Sequence, residues 1–369
     1  MAEYNVMTIG TSPACVFEMA TLKARGLKTL MIDRASTVGG SWGTVELPGL
    51  GAVDIGVHFF NQLPGIETFY KDVLGIELTP ASPTPKWYLP RRVFGINHTS
   101  LYNRWGGGVV PWDNSFPFNR RSWRTAFSPY YRMAFELIKS PKILIKGERY
   151  FKVSTVDFSN RIAKFIIEHG LDVRLSTTVE RVEINTKRGV VKVITNNSEI
   201  EANRFMLTSC AILNSFVLDG EELPISCEPM PLHQLHLVLQ GAPVDRLSFG
   251  ICSHSQNLLF IGNLTTSLKP ELTNRGYSLI AACVLPDLPH NDEKVSTIMA
   301  ELRGYGLLDD RHRLLASHWV QHDAPQRSDE ELLEVEKRFS PYISVLPTHS
   351  LHFTMKNSLE KWRKELVPS

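Results

Sequence analysis

The five cysteines of this 369-residue chain, Cys15, Cys210, Cys227, Cys252 and Cys283, are scattered, odd in number and never in a C-x-x-C spacing. That leaves no basis for a disulfide framework or for the common thiolate metal sites. There is no G-x-S-x-G elbow, no H-E-x-x-H helix and no clustered His/Cys set, so hydrolase and metalloenzyme readings have no support and no metal is expected. No apolar run approaches the roughly 20 residues that span a bilayer. The chain enters Tyr4–Gly10 without a basic and then apolar leader pattern, so a cytoplasmic location is expected. An overall basic field is also missing: 40 Lys and Arg face 38 Asp and Glu, a net charge of +2. With no recognised nucleic-acid module, nucleic acid is not an expected partner. The sequence carries no signal for an oligomeric state.

What is present is an ordinary globular composition, 43% hydrophobic and 21% charged, in a chain long enough for two domains. Charge is uneven within it. Between Lys86 and Arg149 lie 12 basic residues against 3 acids, a pattern that reads either as a solvated face or as a mouth for an anionic ligand.

Tyr4 to Ile9 reads as a buried strand closed by Gly10, and a helix is expected at once. Ser12 suits the N-cap through its hydroxyl, and Pro13 suits the first helical position, where a missing N–H costs nothing. A second strand runs from Leu27 to Ile32 and ends at Asp33. Strand, tight turn, helix, strand and acid within about 30 residues is the opening of a dinucleotide-binding βαβ unit. Next come Gly39-Gly40-Ser41-Trp42 and the alternating run Val53-Asp54-Ile55-Gly56-Val57-His58-Phe59-Phe60. Consecutive glycines let backbone amides face a diphosphate.

From Asn61 to about Lys152 the pattern turns irregular and rich in Pro, Trp, Tyr and Arg. Regular α/β pattern returns at Ser154, and a further set of alternating segments and helices fills 215–339. The expected fold class is α/β: a Rossmann-like dinucleotide-binding domain over 1–60, 153–214 and 340–369, with an α+β substrate domain inserted in two segments, 61–152 and 215–339.

The order Gly10-Thr11-Ser12-Pro13-Ala14-Cys15, Asp33-Arg34, Val38-Gly39-Gly40 and Asp54-Ile55-Gly56-Val57-His58 resembles the N-terminal signature of the FAD-dependent amine oxidase and protoporphyrinogen oxidase-like flavoproteins, with UDP-galactopyranose mutase as a related group. The likeness implies FAD as cofactor, cradled by Gly10, Ser12, Pro13, Ala14, Gly39, Gly40, Ser41 and Trp42. It places Asp33 on a ribose hydroxyl, Arg34 near the adenosine phosphates, the Val179 backbone at the adenine, and Gly56, Val57 and His58 beside the flavin ring. His58 is the candidate catalytic residue, although a histidine in an apolar strand is more often a satisfied core group.

Two departures stand out. Ser12 and Cys15 occupy the second and third glycine positions of the turn, where the family's glycines let the pyrophosphate approach and the helix pack. Pro347-Thr348-His349-Ser350 stands where the family has Gly-Asp or Gly-Arg. Arg91, Arg120, Arg121 and Tyr131 are the candidate contacts to a small anionic substrate, because arginine forks suit carboxylate or phosphate. Three functions stay open: an FAD-dependent oxidoreductase passing hydride from substrate to flavin, a mutase on a nucleotide sugar, and a cofactor-free binding protein.

Overall fold

The computed structural model describes residues 2–55, 59–61, 65–81, 86–88, 92–93, 96–97, 150–152, 155–208, 211, 213, 215–225, 231–241, 249–252, 255, 257–265, 272, 275–285, 288–323, 329–346 and 354–367. Their strands and helices, in chain order, are β1 (Tyr4–Ile9), α1 (Pro13–Ala24), β2 (Thr29–Ile32), β3 (Thr44–Leu47), β4 (Gly51–Asp54), β5 (Phe59–Asn61), α2 (Ile66–Leu74), β6 (Thr79–Ala81), β7 (Lys86–Tyr88), β8 (Arg92–Val93), β9 (Ile96–Asn97), β10 (Tyr150–Lys152) and α3 (Thr155–Glu168). The later ones are β11 (Asp172–Arg174), β12 (Val179–Asn185), β13 (Val190–Thr195), β14 (Glu199–Thr208), β15 (Ser215–Leu218), β16 (Glu221–Pro224), β17 (Pro231–Gln240), β18 (Phe249–Cys252), β19 (Leu258–Asn263), β20 (Tyr277–Val284), α4 (Asp292–Gly304), β21 (Arg313–Asp323), α5 (Asp329–Phe339), β22 (Ile343–Leu346) and α6 (Thr354–Leu366).

Two sheets organise them. The first has nine strands in the order β11-β2-β1-β14-β13-β12-β15-β16, with β22 also paired to β14. Its half around β1 is parallel: β1 pairs in parallel with both β2 and β14, and β11 with β2. Strands buried on both faces read as unbroken apolar runs, and β2 is buried at all four residues because helices lie on one side and an apolar layer on the other. The second sheet is β21-β17-β20-β19-β18-β7, in which β17 pairs antiparallel with β20 and β21.

The helix side of the first sheet is an aromatic core. Phe17 of α1 meets Phe69 at 5.0 Å, Phe165 at 5.7 Å and Trp362 at 5.5 Å between ring centroids. The closing helix α6 is tied in by Glu18, whose Oε2 accepts from Trp362 Nε1 at 2.9 Å and whose Oε1 accepts from Lys361.

Three segments from the stretches assigned to the substrate domain pack or pair with the first sheet. Helix α2 lies inside the stretch assigned to the substrate domain, yet Ile66, Phe69, Tyr70 and Leu74 join the core around Phe17, since their i, i+3, i+4, i+8 spacing makes one apolar stripe. Strands β15 and β16 continue the first sheet past residue 214, β15 pairing in parallel with β12. Leu332 and Phe339 of α5 pack beneath the same sheet with Phe205 and Phe216. Among the described residues, no helix is long and apolar enough to cross a membrane.

Candidate functional site

The chain turns from β1 into α1 at Gly10, with φ +99°, a left-handed value that L side chains rarely adopt. An added Cβ there would meet nothing within 4 Å, so the space above the turn is open. Pro13 opens α1, as expected. Ser12 precedes the helix with φ −59° and ψ 154°, but its side chain makes no cap bond. Instead its hydroxyl donates to the Cys15 sulfur at 3.2 Å. The hydroxyl expected to cap the helix is thus folded onto the cysteine at the third glycine position. Cys15 itself is buried. No amide acceptor bonds the Ser12 or Ala14 N–H among the described residues, which is the normal fate of the first amides of a helix and leaves them available to an anion.

Opposite them lies the turn at Gly39 and Gly40, with φ +114° and +58°, running into a short 3-10 turn over Gly40–Trp42. Gly40 is exposed and its amide is likewise unbonded. A Cβ on Gly40 would stand 3.7 Å from the Ser12 nitrogen and 3.8 Å from its Cα and Cβ. The missing side chain therefore keeps open the space in front of the Ser12 amide. The Trp42 ring lies 5.3 Å from Phe158 and packs on the core of the first domain. Ser41 lies in the same short turn.

Asp33 is bonded into the turn itself. Its Oδ2 accepts from the Thr11 amide at 2.9 Å and from the Thr11 hydroxyl at 2.7 Å, and its Oδ1 accepts from the Ala35 amide at 2.9 Å. Gly39 N–H in turn reaches the Thr11 carbonyl and hydroxyl, each at 3.2 Å. Thr11 is fully buried and Asp33 only 7% exposed. A carboxylate has about four acceptor positions, and the turn takes three of them. These bonds make the carboxylate a clasp joining the ends of β1 and β2 to the glycine turn, and they leave one acceptor position unused. Asp is one methylene shorter than Glu, and its oxygens reach the adjacent turn. Arg34 next to it is exposed.

The chain leaving β11 folds back onto the turn after Asp33. Thr177 N–H bonds the Asp33 carbonyl at 3.0 Å and Ser176 N–H the Ala35 carbonyl at 2.9 Å. Val179, two residues on, begins β12 opposite Thr195. Gly56, Val57 and His58, the substrate candidates Arg91, Arg120, Arg121 and Tyr131, and the segment Pro347 to Ser350 lie outside the described residues.

The β3–β4 hairpin, a two-stranded sheet of its own, packs on the second sheet through apolar side chains and a bond from His236. Leu47 and Val53 of the β3–β4 hairpin pack against Val238, Leu279 and Ala281 of the second sheet. His236, fully buried, bonds the Asp54 carbonyl through Nε2 at 2.9 Å. Burial pushes its imidazole down to about 4, with the bond to Asp54 opposing and the neighbouring His318 adding to the shift. The ring is neutral in the folded protein at pH 7 and carries an ordinary value near 6.5 when unfolded. Because the unfolded chain binds the extra proton first, stability is complete above about pH 6.5 and falls as pH drops towards 4, by roughly 3 kcal/mol across that window. Urea midpoints at pH 7 and pH 4.5 measure this, and His236→Gln is expected to flatten the dependence.

The sequence reading missed this histidine. The signal was available in the alternation Gln234, Leu235, His236, Leu237, which puts leucines on one face and polar groups on the other.

No family model and no curated protein matches the sequence. Solved structures match it in fold. Putrescine oxidase bound to putrescine is 13% identical over 98% of both chains, with a TM-score of 0.63. A protein from Exiguobacterium assigned as a protoporphyrinogen oxidase is 10% identical over 99% of both, at 0.59. Rab GDI from Plasmodium falciparum is 11% identical over 99% of this chain and 98% of its own, at 0.54. The chain therefore has the Rossmann-like, two-sheet fold of the amine oxidase and protoporphyrinogen oxidase-like proteins.

Proposed function

We propose that this chain is a flavin-dependent oxidoreductase that holds FAD along the first domain and a small molecule between the two sheets. The observation that carries the reading is the gap at the carboxyl end of β1, bordered by the unbonded amides of Ser12 and Gly40 and kept open by the missing side chain of Gly40. A helix start adds partial positive charge to such amides, so a diphosphate is the group they suit. Gly10 and Pro13 shape the turn, Ala14 adds a third amide, and Gly39 is held by Thr11. Asp33 contributes one remaining acceptor position to the ribose side, Arg34 a solvent-facing charge to the adenosine phosphates, and the Val179 backbone an edge for adenine.

Gly56, Val57 and His58 follow directly on the Asp54 carbonyl that His236 holds, and are assigned to the flavin ring and the substrate side. Bound flavin would supply the acceptor for a hydride leaving a substrate C–H bond. The protein's share is to hold, orient and keep water out. An anionic substrate group is assigned to the basic stretch from Lys86 to Arg149, with Arg91, Arg120, Arg121 and Tyr131 as its contacts.

The second reading, a cofactor-free binding protein, is favoured by the bonds that occupy Asp33 and by Ser12 and Cys15 at the glycine positions. Calorimetric titration with FAD separates the two. The oxidoreductase reading expects binding by the wild type and at least about a hundredfold weaker binding by Gly40→Val, since bulk in the gap denies several kcal/mol of diphosphate contact. Equal binding by both proteins moves the diphosphate elsewhere, and no binding by either selects the second reading.

A further inference from the structure

Strand β17 turns two faces to different neighbours. Leu235, Leu237 and Leu239 pack into the core beneath α4, while Val238 packs against the β3–β4 hairpin. Gln234 and His236 lie on the Val238 face, because side chains alternate along a strand, and the His236 bond to Asp54 confirms the direction. Both residues are deeply buried, Gln234 at 4% exposure and His236 at 0%. Each nonetheless keeps one polar atom without a hydrogen-bond partner, Gln234 Oε1 and His236 Nδ1. Buried polar atoms are almost always paired, and one left alone costs about 1–3 kcal/mol. Two on the same strand face, roughly 7 Å apart along the chain, define a place where an occupant would remove that cost.

The chemistry of the occupant follows from the protons. A carbonyl oxygen only accepts, so the bond to Asp54 puts the imidazole hydrogen on Nε2. Nδ1 of the neutral ring then presents a lone pair, and burial keeps the ring neutral through the physiological range. Gln234 Oε1 is an acceptor as well. A carboxylate or phosphate would set its own lone pairs against these two and find no hydrogen between them.

We infer that Gln234 and His236 form a ligand subsite on the inner face of the second sheet that accepts hydrogen bonds from a neutral, donor-bearing group, a hydroxyl pair or a primary amide, and rejects anionic groups. Identifying that ligand with the substrate rests on the oxidoreductase reading; the subsite itself does not.

The test uses the full chain with 15N-labelled histidine, followed by NMR without added flavin. The His236 signal should show an unprotonated Nδ1 that does not titrate between pH 5.5 and 8, a window set by the ordinary histidine value near 6.5. Acetamide and glycerol are expected to move that signal, and sodium acetate at the same concentration is not. Gln234→Leu, nearly equal in volume and without a part in the His236–Asp54 bond, should weaken acetamide about tenfold, the loss of one buried hydrogen bond, while leaving the His236 tautomer unchanged. A protonated Nδ1, an acetate response equal to that of acetamide, or no response to either donor overturns the subsite. Since flavin is absent throughout, a protein that answers acetamide but never binds FAD keeps the subsite and loses the oxidoreductase reading.

Discussion

Asp33→Ala is expected to destabilise the cofactor-free protein by about 3–5 kcal/mol, because it strands several buried donors at once. The Thr11 amide, the Thr11 hydroxyl and the Ala35 amide all end on this carboxylate at 2.7–2.9 Å, and Thr11 is fully buried. Each bond to a charged acceptor is stronger than a neutral one, and water has little access to replace it. Thr11 also receives Gly39, so loss of the clasp loosens the glycine turn together with the ends of β1 and β2. Urea denaturation of the wild type and of Asp33→Ala, both without flavin, gives the number. A change below about 1 kcal/mol, within the range of an ordinary surface substitution, accompanied by a large loss of FAD affinity would leave Asp33 with the ribose alone and remove the clasp.

Trp362→Ala carries the other large effect, about 3–5 kcal/mol for emptying a large aromatic site in a core. Trp362 is 1% exposed and sits among Phe17, Phe69 and Leu359, with ring contacts at 5.5 and 6.2 Å. Removing the indole also strips Glu18 of its 2.9 Å bond from Nε1, leaving a mostly buried carboxylate to Lys361 alone. Trp362→Phe keeps most of the apolar volume and loses only the donor, so it should cost roughly 1–3 kcal/mol. Equal losses for the two variants would locate the stability in the Glu18 bond, and the ring would then contribute little.

Much of the first domain could be read from local pattern. Tyr4–Ile9, Gly10 and Pro13 each announce what they do, and the parallel pairing of β1 with β2 follows from a strand, helix, strand order of ordinary length. The amides at the turn were legible for the same reason, since any chain entering a helix leaves them unpaired. The tasks of particular side chains were not. Asp33 at a strand end looks the same in sequence whether or not it also holds Thr11, and that bond depends on the 21 residues of intervening chain closing back to 2.9 Å. Ser12 reads as a cap until Cys15 offers it a nearer acceptor. Helix α2 was hidden by its irregular flanks, and its stripe becomes meaningful only against Phe17 and Trp362. Gln234 and His236 required knowing which face of β17 meets the β3–β4 hairpin, a question of tertiary packing.

The most direct measurement of the central claim is the visible absorption spectrum of the full-length protein after saturation with FAD and removal of the unbound excess. The account predicts a retained flavin band for the wild type and its loss in Gly40→Val, with both proteins folded by circular dichroism. A colourless wild type that remains folded would contradict it, leaving the fold intact and the gap before Ser12 without its dinucleotide.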